Sequence, residues 1–177
     1  MKKDFRWWIK CIGSHNGVKW FPSEINKNNS EIIFTDASDT GAAAVLGGKW
    51  CMQIFEGKLK WIAKKSINWR EAYAVLLGVS TFGPELKNKS LLMNIDNQAM
   101  QQAIQQGKSK DSEIMALIRC IYFYTAIYNI DYKTVFIPGN TNVLADRLSR
   151  GKVGEFRVLA PKSELKMTTP CDMILNF

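Results

Sequence analysis

The sequence predicts an α/β domain built on a mixed five-stranded sheet, three antiparallel strands followed by two parallel ones, flanked by helices. Two observations carry this. Three strand-like runs come in succession, separated only by short Gly-containing turns, which is the pattern of an antiparallel meander. Two later apolar runs are instead separated by helical segments, and strands joined through helices add in parallel. The predicted order is β-β-β-α-β-α-α-β-α.

Each element has a local reason. Glu31 to Ala37 is a β-rich run ending near Asp36, and Gly41 to Leu46 is small and apolar, suited to a closely packed strand. Gly47-Gly48 turns the chain into Trp50 to Phe55, where apolar and polar residues alternate. After Glu56-Gly57, Leu59 to Ala63 is expected as a short further strand or an extension. Asn68, with Glu71 three positions on, fits a capping box opening a helix to Phe82, which Gly83-Pro84 ends. Leu91 to Ile95 is a buried strand ending at Asp96. Asn97 to Gln106 is a helix closed by Gly107. Asp111 or Ser112 caps a longer helix to about Tyr128, with its apolar stripe at Ile114, Leu117, Ile118, Ile121 and Ala126. Tyr132 to Ile137 is the last strand, ended by Pro138-Gly139, and Thr141 to Arg150 is a short helix.

Residues 1–30 form an N-terminal leader, with a short amphipathic helix around Phe5 to Cys11 and then a polar loop. Residues 31–151 form the domain, and residues 152–177 a looser C-terminal tail that packs on the domain or leads to another unit. The 177 residues, 46% of them hydrophobic, are enough for one domain with a sizeable core. No apolar run is long enough to span a membrane. The N-terminus is interrupted by Asp4, Arg6 and Lys10, unlike a signal peptide, so an intracellular protein of cytoplasm or nucleus is expected. The four cysteines are scattered and His15 is the single histidine, which argues against zinc and against a disulfide framework. Reduced, mostly buried thiols are expected.

Lys and Arg number 24 against 16 Asp and Glu, a net charge of +8 that suits a polyanionic partner. Lys58, Lys60, Lys64, Lys65 and Arg70 lie close together with Trp61 and Trp69 among them. Cations interleaved with aromatics can hold phosphates and stack on sugars or bases. A half-exposed basic hairpin with buried tryptophans gives the same pattern.

Four acids stand out: Asp36 in IIFTDAS, Glu71 in NWREAYAV, Asp96 in LLMNIDNQ and Asp146 in NVLADRLSR. Singly, each has a structural reading. Asp36 can start the turn at Ala37 to Asp39, Glu71 can close the capping box, Asp96 can be an N-cap, and Asp146 can form a local ion pair. As a set they read differently. Strand ends and helix starts converge at one edge of such a sheet, and clustered carboxylates resist joint ionisation without a cation. Hard oxygen ligands suit magnesium or manganese. A pair of such ions serves phosphodiester hydrolysis without a His, Cys or Ser nucleophile.

With these residues quoted, the chain resembles ribonuclease H. The ordered Asp–Glu–Asp–Asp set is similar to that family's site, and the strand and helix order is similar as well. The nearest resemblance is to ribonuclease H domains of retroelement reverse transcriptases, especially DIRS-type and related retrotransposons. It rests on TDAS at Thr35 to Ser38, the DN…G stretch at Asp96 to Gly107, and IPGNTNVLADRLSR at Ile137 to Arg150, the most specific of the three. DFRWWIKCIGSHNGV also resembles the connector between a retroelement polymerase and its ribonuclease H. The resemblance covers about residues 4–155.

It implies cleavage of RNA in an RNA–DNA hybrid, with Asp36, Glu71, Asp96 and Asp146 as catalytic ligands of two Mg²⁺ or Mn²⁺ ions. It implies Glu71 near the RNA 2′-hydroxyl. Ser38, Asn97, Asn142, Lys64, Lys65, Trp69 and Arg70 are the candidate nucleic-acid contacts. A reverse transcriptase polymerase domain is the expected partner, with no membrane and no small-molecule cofactor. Glu in second place argues against integrase and transposase relatives, whose Glu comes last. The sequence departs from the family in one respect: the loop FIPGNTN before the last Asp lacks the histidine that many ribonucleases H place there to help product leave. Two other readings stand beside this one: a non-catalytic tethering module of the same fold, and a DNA-cutting relative.

Overall fold

The computed structural model describes residues 30–170 and, besides them, Ile9. The leader helix expected around Phe5 to Cys11 lies outside the described residues, as do Cys11, His15 and Cys171. The strands are β1 (Glu31–Ala37), β2 (Gly41–Leu46), β3 (Lys49–Ile54), β4 (Ser90–Ile95) and β5 (Asp131–Phe136). The helices are α1 (Ile67–Phe82), α2 (Gln98–Gln106), α3 (Ser112–Ile127), α4 (Val143–Ser149) and α5 (Val153–Leu159). The sheet order is β3-β2-β1-β4-β5. β1 pairs antiparallel with β2, and β2 with β3, whereas β4 lies parallel to β1 and to β5. The mixed sheet is the one expected from the meander and the two helix-linked strands.

β2 shows why GAAAVL must be small and apolar: all six of its residues are buried. Ala42, Ala44 and Leu46 face the larger core, shared with α1, α2 and α3. Ala43 and Val45 face a smaller core with Trp50, Ala145, Leu148 and Phe156. Gly78 lets α1 lie directly on the sheet, since a Cβ there would come within 2.7 Å of Ile33 and 2.9 Å of Ala44. Helices therefore cover both faces. α1 packs on β1 and β2 from one side, and α4 packs on the same two strands from the other.

Several local expectations hold. Gly107 takes a left-handed conformation (φ 63°) at the end of α2, and its N–H reaches the carbonyls of Ala103 and Ile104. The carboxylate of Asp111 accepts from the N–H groups of Glu113 and Ile114. Cys51 and Cys120 are buried, as expected. No helix among the described residues is long and apolar enough to cross a membrane.

Three expectations are corrected. Leu59 to Ala63 is not a strand: the chain makes two 3-10 turns, Gly57–Leu59 and Ile62–Lys64, that drop Ile62 into the core. The Asn68–Glu71 capping box does not form. α1 starts earlier, and Ser66 caps it by accepting from the Trp69 N–H at 3.3 Å. In α3 the buried stripe continues through Tyr124 and Thr125, with Ala126 only partly covered.

Beyond Gly151 the chain forms α5, whose Phe156 is fully buried 5.3 Å from the Trp50 ring. The segment after it runs along β3. Glu164 N–H donates to Gly48 O and Thr168 N–H to Trp50 O, so this sheet edge is covered.

Candidate active site

Strand register makes the site. Thr35 of β1 lies opposite Ile95 of the parallel strand β4, so the next residues, Asp36 and Asp96, leave neighbouring strand ends side by side. α1 runs across this edge and adds Glu71. One carboxylate oxygen from each of Asp36, Glu71 and Asp96 lies within 4.8 Å of the others. The structural readings of these three acids are each displaced. Ser38, not Asp36, makes the turn after β1, its hydroxyl accepting from the Thr40 and Gly41 N–H groups. Ser66 caps α1, and Asn97 caps α2 by accepting from Met100 N–H. That leaves all three carboxylates without capping duty.

The three pay for burial in proton affinity. Burial drives Asp36 up to about 6; the Ser149 hydroxyl, donating to Asp36 Oδ2, works against this, and the charges of Asp96 and Asp146 add to it. Glu71 is pushed up to about 9, first by burial and then by Asp36 and Asp96. Asp96 is raised too, mainly by burial, against the contact of Asn142. Glu71 Oε2 is buried and has no hydrogen-bond partner among the described residues. Three crowded acids and an orphaned buried oxygen are a donor set that fits a hard divalent cation.

Asp146 stands apart from this trio. It lies on α4 at the rim, close enough for its charge to act on Asp36 and Asp96. Its own carboxylate is held by Arg150 Nε at 2.7 Å and Arg147 Nη1 at 3.1 Å. Of the four acids it is the one whose local ion-pair reading is realised.

The loop before α4 and the turn after β1 frame the site. Gly139 approaches Asp96 so closely that a Cβ would sit 3.3 Å from its Oδ2. Asn142 is buried and donates from Nδ2 to Thr35 O at 2.8 Å. Ser38 is buried, and its hydroxyl donates to Ser149 O at 2.8 Å. Asn97 also donates from Nδ2 to Asn68 Oδ1 at 2.8 Å, tying the start of α1 to the residue after Asp96.

The basic and aromatic candidates sort into buried and exposed. Arg70 is buried, donating to Ser38 O at 2.7 Å and to Asp39 Oδ1 at 2.5 Å. Trp69 is 5% exposed and stacks on Tyr73 with ring centroids 5.5 Å apart. Lys65 is paired with Glu113 at 2.7 Å and lies over the rings of Trp61 and Trp69. Lys64 is exposed. The open ring of this lobe is Trp61, 42% exposed, whose place only the two 3-10 turns reveal. Ser149 and Arg150 were also not singled out by the sequence as site residues. Their signal was position: they follow Asp146 by three and four residues, one turn along the same helix.

The chain matches no family model and no curated protein in sequence. Solved structures do match it. Ribonuclease H1 from the halophilic archaeon Halobacterium salinarum aligns over 71% of this chain and 98% of its own, at 15% identity and a TM-score of 0.55. The N-terminal ribonuclease H domain of a Mycobacterium tuberculosis protein, solved as a fusion with maltose-binding protein, aligns over 75% of this chain and 99% of its own, at 15% identity and a TM-score of 0.56. With the strand order and directions described above, these similarities show that the chain has the ribonuclease H-like fold.

Proposed function

We propose that this chain is a metal-dependent endoribonuclease that cuts the RNA strand of RNA–DNA hybrids. The observation that carries the reading is the meeting of Asp36, Glu71 and Asp96 within 4.8 Å at the sheet edge, with Glu71 Oε2 buried and unpartnered. Asp36, Glu71 and Asp96, with Asp146 from the rim, would hold two Mg²⁺ or Mn²⁺ ions. Bound there, divalent ions supply Lewis-acid polarisation of a phosphodiester and of the attacking water.

The protein's own groups do the positioning. Ser149 fixes one oxygen of Asp36, and Asn142 steadies Asp96. Glu71 is the acid placed to approach an RNA 2′-hydroxyl, the group that marks RNA against DNA. Lys64 and the exposed Trp61 offer charge and a ring to the backbone. The buried Ser38, Trp69 and Arg70 and the half-buried Asn97 serve by holding this surface in shape. By the resemblance of residues 4–155, the domain belongs to or derives from a retroelement reverse transcriptase, acts beside its polymerase domain and works inside the cell. Residues 1–30 would be the connector and 152–177 the following tail.

The test is cleavage of end-labelled hybrid, duplex DNA and duplex RNA with Mg²⁺ or Mn²⁺. The expected result is cutting of the RNA strand of the hybrid alone, lost in Asp96→Asn. Protein that binds hybrid yet never cuts it, across metals and pH, would overturn the reading. A non-catalytic tethering module is the second reading, and the pairing of Asp146 with Arg147 and Arg150 favours it. Calorimetry separates the two, because a module needs no divalent uptake.

A further inference from the structure

The two arginines on Asp146 are not equivalent. Arg147 is anchored elsewhere as well: its Nε contacts Glu155 Oε2 of α5 at 3.0 Å, and its side chain is 33% exposed. The Arg150 side chain reaches the Asp146 carboxylate through Nε, and it is 53% exposed. Its two terminal nitrogens make no hydrogen bond among the described residues. The charges of Asp36 and Asp39 also act on it, and its contact with Asp146 places it at the rim of the acid site. A half-exposed ion pair of this kind is weak and readily exchanged. The free end of the guanidinium is a planar fork suited to a phosphate.

We propose that Arg150 exchanges partners: it neutralises Asp146 while no cation is bound, and passes to a backbone phosphate of the nucleic acid when a divalent ion takes Asp146. The inference rests on the reading of the acid edge as a metal site. Arg147, tied to α5, stays with the protein throughout. Arg150 thus keeps the empty site from accumulating unbalanced charge and then becomes a substrate-binding residue beside the reacting phosphodiester.

The exchange has a signature of opposite signs, which a structural role would not produce. Mn²⁺ affinity is measured by calorimetry for the wild type, Arg150→Ala and Arg150→Lys. Hybrid affinity is measured in Ca²⁺ over a salt series. Arg150→Ala is expected to bind Mn²⁺ more tightly, by roughly two- to fivefold, because a competitor is gone. The same variant is expected to bind hybrid more weakly, with the salt slope reduced by about one phosphate contact. Arg150→Lys, which keeps the charge and loses the fork, retains the slope and serves if the alanine variant folds poorly. Unchanged or weaker Mn²⁺ binding in Arg150→Ala, or an unchanged salt slope, would overturn the exchange while leaving the metal site standing. A wild type that takes up no Mn²⁺ overturns the metal site itself, and the exchange with it.

Discussion

The acid edge and the aromatic lobe meet at the start of α1, and they treat charge in opposite ways. At the edge, Asp36, Glu71 and Asp96 are crowded together, and Glu71 keeps a buried oxygen unpartnered. In the lobe, Lys65 is paired with Glu113 and spread over two indole rings, and Arg70 Nη1 is held by Ser38 O and Asp39 Oδ1. Only the lobe is a charge cluster in sequence; the acids are scattered along the chain and gather in the fold. The edge is left needing a ligand, and the lobe is largely complete within the protein. Proximity of charged residues therefore says little until burial and partners are known.

The largest effects should separate the two regions. Asp96→Asn removes a ligand but also a repulsive charge, so hybrid cleavage is expected to fall by on the order of 10³-fold. Its melting temperature should not fall. Trp69→Ala should do the reverse: emptying a buried site stacked on Tyr73 costs roughly 3–5 kcal/mol, read as a lower denaturation midpoint, while surviving folded protein still takes up Mn²⁺. If Asp96→Asn unfolded the domain, or Trp69→Ala abolished metal uptake, the contrast would break.

A middle-sized effect follows from the raised acids. A carboxyl group raised in the folded state stabilises the fold when protonated, fully so below its unfolded value near 4. That stability is lost as pH rises through about 6 for Asp36 and about 9 for Glu71. Without divalent ions, the contribution of these acids therefore falls steadily from pH 5 to pH 9. Added Mg²⁺ or Mn²⁺ should raise the melting temperature by several degrees at pH 8 and by much less at pH 5, in thermal scans with and without chelator. Glu71→Gln should flatten the alkaline part of this dependence. The smallest effect belongs to the lobe's surface: Lys65→Ala breaks a partly exposed pair and should change stability by no more than about 1 kcal/mol in chemical denaturation.

Much of the fold was legible because it rests on local chemistry. Alternation and small residues marked β1 to β3, and Gly107 and Asp111 marked a helix end and a helix start. The 57–65 segment was not legible, because Leu59, Trp61 and Ile62 are as apolar in a 3-10 turn as in a strand, and only packing of Ile62 decides between them. Nor was the start of α1. Ser66 and Asn68 are both good N-caps, and Asn68 is instead drawn to Asn97 across the site.

By itself the sequence determined the order of the elements and the set of four acids, since period, turn residues and residue type are properties of the chain alone. Only the tertiary structure decided which acids share a volume. Parallel register of β1 and β4 joins Asp36 to Asp96, and α1 crossing the sheet at Gly78 brings in Glu71. The same packing leaves Asp146 at the rim, within reach of two arginines on its own helix. Burial and distance set how a carboxylate ionises, and neither exists until the strands have paired.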